Sequence, residues 1–494
     1  MNWNLFLKPI YTVLFIIGLH LQSCSPAQPQ SETKKNQINQ HVKTYHDYHQ
    51  FNGAILVAFE GRVIYKKGFG KASFEWDIPN RPDTKFQIAS VSKQFTSMLI
   101  MQLVAEGKLD LRTPIGNYLN DYPKPQGDLI TIQHLLNHTS GIPNHTSFPS
   151  YRTDMLKFIR PEGLIQTFSD STLLFTPGSQ FNYSNSGYAL LGFLLEKIEG
   201  KPYGKILNEK IFSPLGMKNS GYEPTQRLVK NKASGYSPLG LSYLKANYID
   251  YSEAYSSGGI HSTVEDLFIW DQALYSEKLL PKSFLDSLFS PKVQLGNSHY
   301  ANGWDIGEIQ IGNTSSTLKS ISHDGVINGY TALITRIPSE KTSIIILNNT
   351  GGAPLHHMTK GILGILHGSS FDKPVQSVAI SVGQEIEKNG IEKGVENYKA
   401  IKDQAGFYLS ENEMNLMGYD FLERGNLDAA KEIFRLNVEA FPDSFRVYDS
   451  YGEILMELGE IDLSIMNYQK SLELNPTNGN AKRFLKLLES KTYN

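Results

Sequence analysis

The sequence predicts an α+β domain followed by an all-α region, and three observations carry that expectation. Residues 53–70, GAILVAFEGRVIYKKGFG, alternate apolar and polar side chains around a Glu-Gly turn, the pattern of a β-hairpin. Residues 329–349, GYTALITRIPSEKTSIIILNN, repeat that design around PSEK. Helical patterns over 90–106, 188–199 and 263–275 lie between the two hairpins, so one antiparallel sheet joins the N- and C-terminal parts with a helical region between them. Beyond residue 400, Gly418 and Gly452, Gly425 and Gly459, Phe434 and Tyr468, and Pro442 and Pro476 each recur at the same 34-residue period.

Taken in order, the chain opens with MNWNLFLKPIYTVLFIIGLHLQS, which has one lysine, Lys8, and an apolar run over 11–19 before Cys24. The run is too short to cross a membrane and matches a secretory signal ending in a lipobox. Residues 1–24 are therefore expected to be a lipoprotein signal, with Cys24 the lipidated residue, although Gln22 is not the small residue usual there. A simple signal peptide or a buried free thiol is the alternative. Cys24 is the single cysteine, so no disulfide is available. The polar stretch over 25–45 is expected to be a tether, residues 46–370 the α+β domain and 371–494 the helical repeats. With 47 basic against 49 acidic residues and no basic block, nucleic acid is excluded as a partner.

The candidate chemistry lies in FQIASVSKQF, residues 86–95. SxxK by itself has no weight, because the chain contains five such patterns, beginning at Ser31, Ser90, Ser242, Ser316 and Ser370. Ser90 alone opens a stretch with an apolar face, through Val91, Phe95, Leu99 and Leu103. On a helix, residues three apart share a face and residues one apart do not, so Lys93 meets Ser90 and not Ser92. A serine hydroxyl needs a base to take its proton, and a lysine serves when burial and a helix N-terminus lower its pKa from about 10.4 towards 7. The alternative for the same pattern is an N-capping serine with a solvated lysine one turn on.

FQIASVSKQFTSMLIMQLVAEGKLDL, ITIQHLLNHTSGIPN, FTPGSQFNYSNSGYALLGFLLEKIEG with SPLGMKNS, SSGGIHSTVEDLFIWDQAL and SHDGVINGY together resemble the serine β-lactamase-like family. That family is related to class C β-lactamases, low-molecular-mass penicillin-binding proteins and esterases, and the resemblance covers about residues 51–349. It implies a β-lactamase-like fold with Ser90 as nucleophile and Lys93 as activating base. The YxN motif then falls on Tyr183, which shares proton transfer, and Asn185, which positions substrate and Lys93 by hydrogen bonds. The third motif falls on His323 and Gly325, on an edge strand beside the substrate. The resemblance also assigns the oxyanion hole to the amides of Ser90 and Val326. Many relatives carry KTG where this chain has HDG, and His323 is a weaker anchor for a substrate carboxylate than lysine.

Other conspicuous residues have structural readings. His134 and His138 are spaced i, i+4 but lack the glutamate of HExxH, and no metal is expected. Tyr118 and Asn120 form a second YxN without the surrounding motif. Ser262 or Thr263 is expected to cap a helix carrying Trp270 inward, and Trp304 lines either the cleft or the core. The 34-residue period is that of tetratricopeptide repeats: two units and a capping helix, with a degenerate earlier unit over 375–404. They offer either a peptide-binding surface or a packing appendage. The expectation is a lipid-anchored cell-envelope hydrolase that needs no cofactor and acts on an ester or amide through an acyl-Ser90 intermediate. The alternatives are a D-Ala-D-Ala carboxypeptidase, penicillin-binding protein or β-lactamase, and a non-enzymatic sensor or scaffold.

Overall fold

The computed structural model describes residues 28–222 and 227–492, so the expected signal segment and Cys24 lie outside the described residues. Eight antiparallel strands form the main sheet, in the order Val293–Leu295, Ser298–Ala301, Trp304–Gln310, Thr317–Ile327, Tyr330–Ile337, Thr342–Asn348, Gly53–Phe59 and Arg62–Phe69. The last C-terminal strand pairs with the first N-terminal one, from Gly53↔Asn348 to Ala58↔Ser343. Each predicted hairpin forms where its alternation placed it.

Both faces of the central strands are buried, and the period of two divides them between two cores. Ala54, Leu56 and Ala58 pack with Phe95, Leu99, Leu191 and Trp270 from the helical region on one face. Ile55 and Val57 pack on the other face with Met358 and Ile362 of the helix Leu355–Leu366. That second core corrects the expected tether. Residues Gln28–Asp47 form a helix, and its Ile38, Val42 and Tyr45 are buried on the sheet. Their i, i+4, i+7 spacing supplies an apolar stripe despite the polar composition. His41 Nε2 also lies 3.3 Å from Met358 O.

The helix over 90–106 starts later than expected. Ala89–Val91 is a 3₁₀ turn leading into the α-helix Ser92–Ala105. Thr263, rather than Ser262, caps Val264–Ala273 by accepting from Asp266 N at 3.1 Å. Trp270 and Trp304 are both core residues.

The C-terminal region is a run of helical hairpins: Val378–Asn389 with Ile391–Ile401, Glu411–Glu423 with Leu427–Ala440, and Phe445–Glu457 with Ile461–Leu474, followed by Gly479–Thr492. The period has a packing cause. A Cβ on Gly418 would stand 2.5 Å from the Phe434 ring, and one on Gly452 would stand 3.2 Å from the Tyr468 ring. Each glycine lets an aromatic of the paired helix lie against its backbone. The hairpins touch the α+β domain where Leu241 N donates to Asp420 Oδ2 at 2.8 Å.

Candidate active site

Ser90 sits in the 3₁₀ turn at the head of the helix Ser92–Ala105, following Ala89 with a positive φ of 46°. Backbone strain of this kind in a non-glycine residue is held by its surroundings. Here Ile88 N donates to Ile260 O at 3.0 Å and Val91 N to Ile88 O at 3.1 Å. The 3₁₀ turn preserves the three-residue spacing, so Lys93 Nζ lies 3.0 Å from Ser90 Oγ. Ser92 points elsewhere: its buried hydroxyl accepts from Ile260 N at 3.1 Å.

Lys93 is fully buried and makes two further contacts, to Asn185 Oδ1 and to the Ser257 carbonyl, each at 2.8 Å. Both oxygens can only accept, so they take two N–H bonds. The third direction of Nζ faces Ser90 Oγ, which either accepts from an ammonium or donates its proton to the lone pair of a free amine. Burial holds the Lys93 pKa well below that of an ordinary lysine, with the Asp324 charge acting weakly against it. The free amine is therefore the form this pocket favours.

Asn185 opens the helix Asn185–Glu199; its backbone N–H donates to Asn144 Oδ1 at 3.1 Å, and its side-chain Nδ2 reaches Thr146 Oγ1 at 3.5 Å while Oδ1 faces Lys93. The Tyr183 ring lies under Lys93, with its centroid 4.8 Å from Nζ. Its hydroxyl is buried without a hydrogen bond of ordinary geometry. Burial raises the phenol pKa, and interaction with Ser90 opposes the rise. Ser90, Lys93, Tyr183 and Asn185 are thus brought together.

The strand Thr317–Ile327 changes character along its length. Residues 317–322 pair with Trp304–Gln310 on one side, whereas 323–327 pair only with Tyr330–Ile337 and are open on the other. The open half lies against the Ser90 turn. A Cβ on Gly325 would stand 2.3 Å from Ile88 O and 3.0 Å from Ser90 N, so only glycine allows this approach. The Val326 side chain faces outward and is 70% exposed.

His323 is buried, and its hydrogen bonds belong to a chain that the sequence did not reveal. His138 Nδ1 accepts from Ser184 N at 3.1 Å, which places the proton of a neutral His138 on Nε2. That nitrogen lies 3.1 Å from Tyr300 Oη, and Tyr300 Oη lies 3.1 Å from His323 Nε2. His323 Nδ1 lies 2.5 Å from the Asp324 carbonyl, an acceptor. One direction satisfies every member: Ser184 N–H to His138, His138 to Tyr300, Tyr300 to His323, and His323 to Asp324 O. Both imidazoles are then neutral. Burial, with Lys93 adding to it, lowers His323 to about 4 and holds His138 well below the usual range. The chain ties the Tyr183–Asn185 segment to the strand beside Ser90.

The sequence motif reads His138 as structural, and Tyr300 carries no signal, since it stands in NSHYANG with no recognisable spacing. His134 caps its own helix, where its Nδ1 accepts from Thr131 N at 3.2 Å. Tyr118 Oη accepts from Asp110 N at 2.9 Å, away from Ser90.

A half-buried serine bonded to a fully buried lysine at the head of a helix, packed between sheet and helices, is the framework of a serine hydrolase. The chain belongs to the β-lactamase family, whose model matches residues 38–364. Penicillin-binding protein 4* of Bacillus subtilis is 30% identical over 364 residues, 69% of this chain and 78% of that protein. The octameric penicillin-binding protein homologue of Pyrococcus abyssi has a TM-score of 0.60 at 27% identity, covering 72% of this chain and 81% of its own. D-amino acid amidase of Ochrobactrum anthropi shares the fold at a TM-score of 0.59 and 24% identity, covering 68% of this chain and 99% of its own.

Proposed function

We propose that the protein hydrolyses an ester or amide at the cell envelope through a covalent acyl-Ser90 intermediate. The observation that carries this reading is the set of contacts at Lys93 Nζ, where two carbonyl acceptors take two N–H bonds and the remaining direction meets Ser90 Oγ at 3.0 Å. Lys93 takes the Ser90 proton as Oγ attacks the carbonyl carbon. The tetrahedral oxyanion is stabilised by the amides of Ser90 and Val326. Tyr183, in contact with Lys93, passes the proton to the leaving group, which departs to give the acyl-enzyme. Water then adds to the acyl carbon, giving its proton to the same pair, and Ser90 is released with its proton restored. Asn185 holds Lys93 and the substrate throughout.

Cys24 is the proposed lipid anchor, in keeping with the apolar run that precedes it. The C-terminal hairpins are proposed as tetratricopeptide-like units able to take a peptide or protein partner. A second reading is supported by the B. subtilis relative: a penicillin-binding protein acting on D-Ala-D-Ala peptides, or a β-lactamase.

Intact mass after exposure to a penicillin, and separately to a fluorophosphonate, tests both. The expected result is a fluorophosphonate adduct that Ser90→Ala abolishes and Ser92→Ala retains. A Ser90-dependent penicillin adduct formed with comparable ease favours the second reading. No adduct with either reagent overturns both and leaves a non-enzymatic sensor or scaffold.

A further inference from the structure

We propose that Asp324 sets the charge preference of the cleft, so that the substrate is neutral or cationic next to its scissile bond and carries no carboxylate there. This rests on the acyl-Ser90 reading and names its substrate class.

The geometry begins with the open half of the strand Thr317–Ile327. Residues 323–327 have no strand neighbour on their outer side, and Gly325 holds that edge against the Ser90 turn. Substituents of an acyl group on Ser90 extend along this edge, because Lys93, Tyr183 and Asn185 close the other side. Side chains alternate along the strand. His323 and Gly325 are buried, and Asp324 and Val326 are exposed. Asp324 is thus the acidic side chain that the edge presents.

No cation on this strand segment answers it. Both nitrogens of His323 are committed, to Tyr300 and to the Asp324 carbonyl, so the ring stays neutral. Lys93 is fully buried, with its amine held by Asn185, Ser257 and Ser90. Asp324 stands between His323 and Gly325, and a Cβ on Gly325 would lie 3.0 Å from Ser90 N, which places Asp324 near the reacting centre. A second carboxylate reinforces it. Asp305 pairs with Ser322 on the neighbouring strand, two residues from Asp324 and on the same face; burial and the Asp324 charge raise its pKa, against Ser298, His356 and His299. A substrate carboxylate at this edge meets like charge, whereas an ammonium finds a partner.

The test measures inhibition of fluorophosphonate labelling of Ser90 by three phenylboronic acids bearing a meta methyl, aminomethyl or carboxyl group. Each binds by addition of Ser90 Oγ to boron, with the serine proton passing to Lys93 and no group leaving. At low salt the carboxyl compound is expected to bind about tenfold more weakly than the aminomethyl compound. Asp324→Asn should shrink that ratio at least about threefold, as should high salt, which screens an exposed charge. Glu457→Gln, the same charge change in the C-terminal helices, should leave the ratio where it was. An unchanged ratio in Asp324→Asn, or tightest binding by the carboxyl compound, overturns the assignment of Asp324 alone. Absence of any labelling at Ser90 removes the acyl-Ser90 reading and this inference with it.

Discussion

Replacing Tyr300 with phenylalanine removes one oxygen and keeps the volume, so its effect isolates the hydrogen-bond chain between the Tyr183–Asn185 segment and the strand beside Ser90. In the wild type, Tyr300 Oη accepts from His138 and donates to His323, at 3.1 Å in each case. Both imidazoles are buried, and their other nitrogens are already bonded to Ser184 N and Asp324 O. The variant therefore leaves one buried donor and one buried acceptor without partners. A buried polar group left unsatisfied costs about 1–3 kcal/mol, so the pair costs roughly 2–6 kcal/mol. Urea unfolding at pH 7 should show a lower midpoint with little change in slope. Turnover of a neutral ester should fall as well, because the chain fixes the edge that carries Gly325 and Val326. A loss of less than about 1 kcal/mol, with turnover unaltered, would refute the chain as a structural tie.

Lys93→Met should abolish acylation, and the comparison of its stability with that of the wild type depends on pH. Burial depresses the folded pKa of Lys93 below its ordinary 10.5, so the wild type is penalised once the unfolded chain binds a proton that the folded one resists. The stability difference should therefore move in the variant's favour as pH falls from about 10.5 into the neutral range; a pH-independent difference across unfolding curves contradicts a neutral Lys93. In the wild type, turnover should fall with acidification as the amine becomes protonated, and a flat acid limb would rule Lys93 out as base. Gly325→Ala presses a methyl against Ile88 O and Ser90 N, both backbone atoms. It should cost about 1–3 kcal/mol and at least about tenfold in kcat/KM; wild-type values in thermal unfolding and ester turnover would contradict the close approach.

The sequence by itself determined whatever depends on local periodicity. Alternation along residues 53–70 and 329–349 specified the two hairpins, and three-residue spacing on a helical turn separated Ser90 from Ser92. The 34-residue recurrence of glycines and aromatics marked the C-terminal hairpins. The first two signals lie within a few turns of chain, where backbone geometry alone fixes which side chains meet, and the third repeats a whole helical hairpin. Composition misled at residues 25–45: the polar majority hid the stripe of Ile38, Val42 and Tyr45, whose burial depends on a helix more than 300 residues later. Tertiary structure alone joined His138 to Tyr300 across 162 residues and Lys93 to the Ser257 carbonyl across 164. It also decided where the strand Thr317–Ile327 loses a neighbour and becomes an open edge carrying Asp324. Such contacts are set by the register between distant segments and by the packing of two cores on one sheet, and no short-range pattern encodes either.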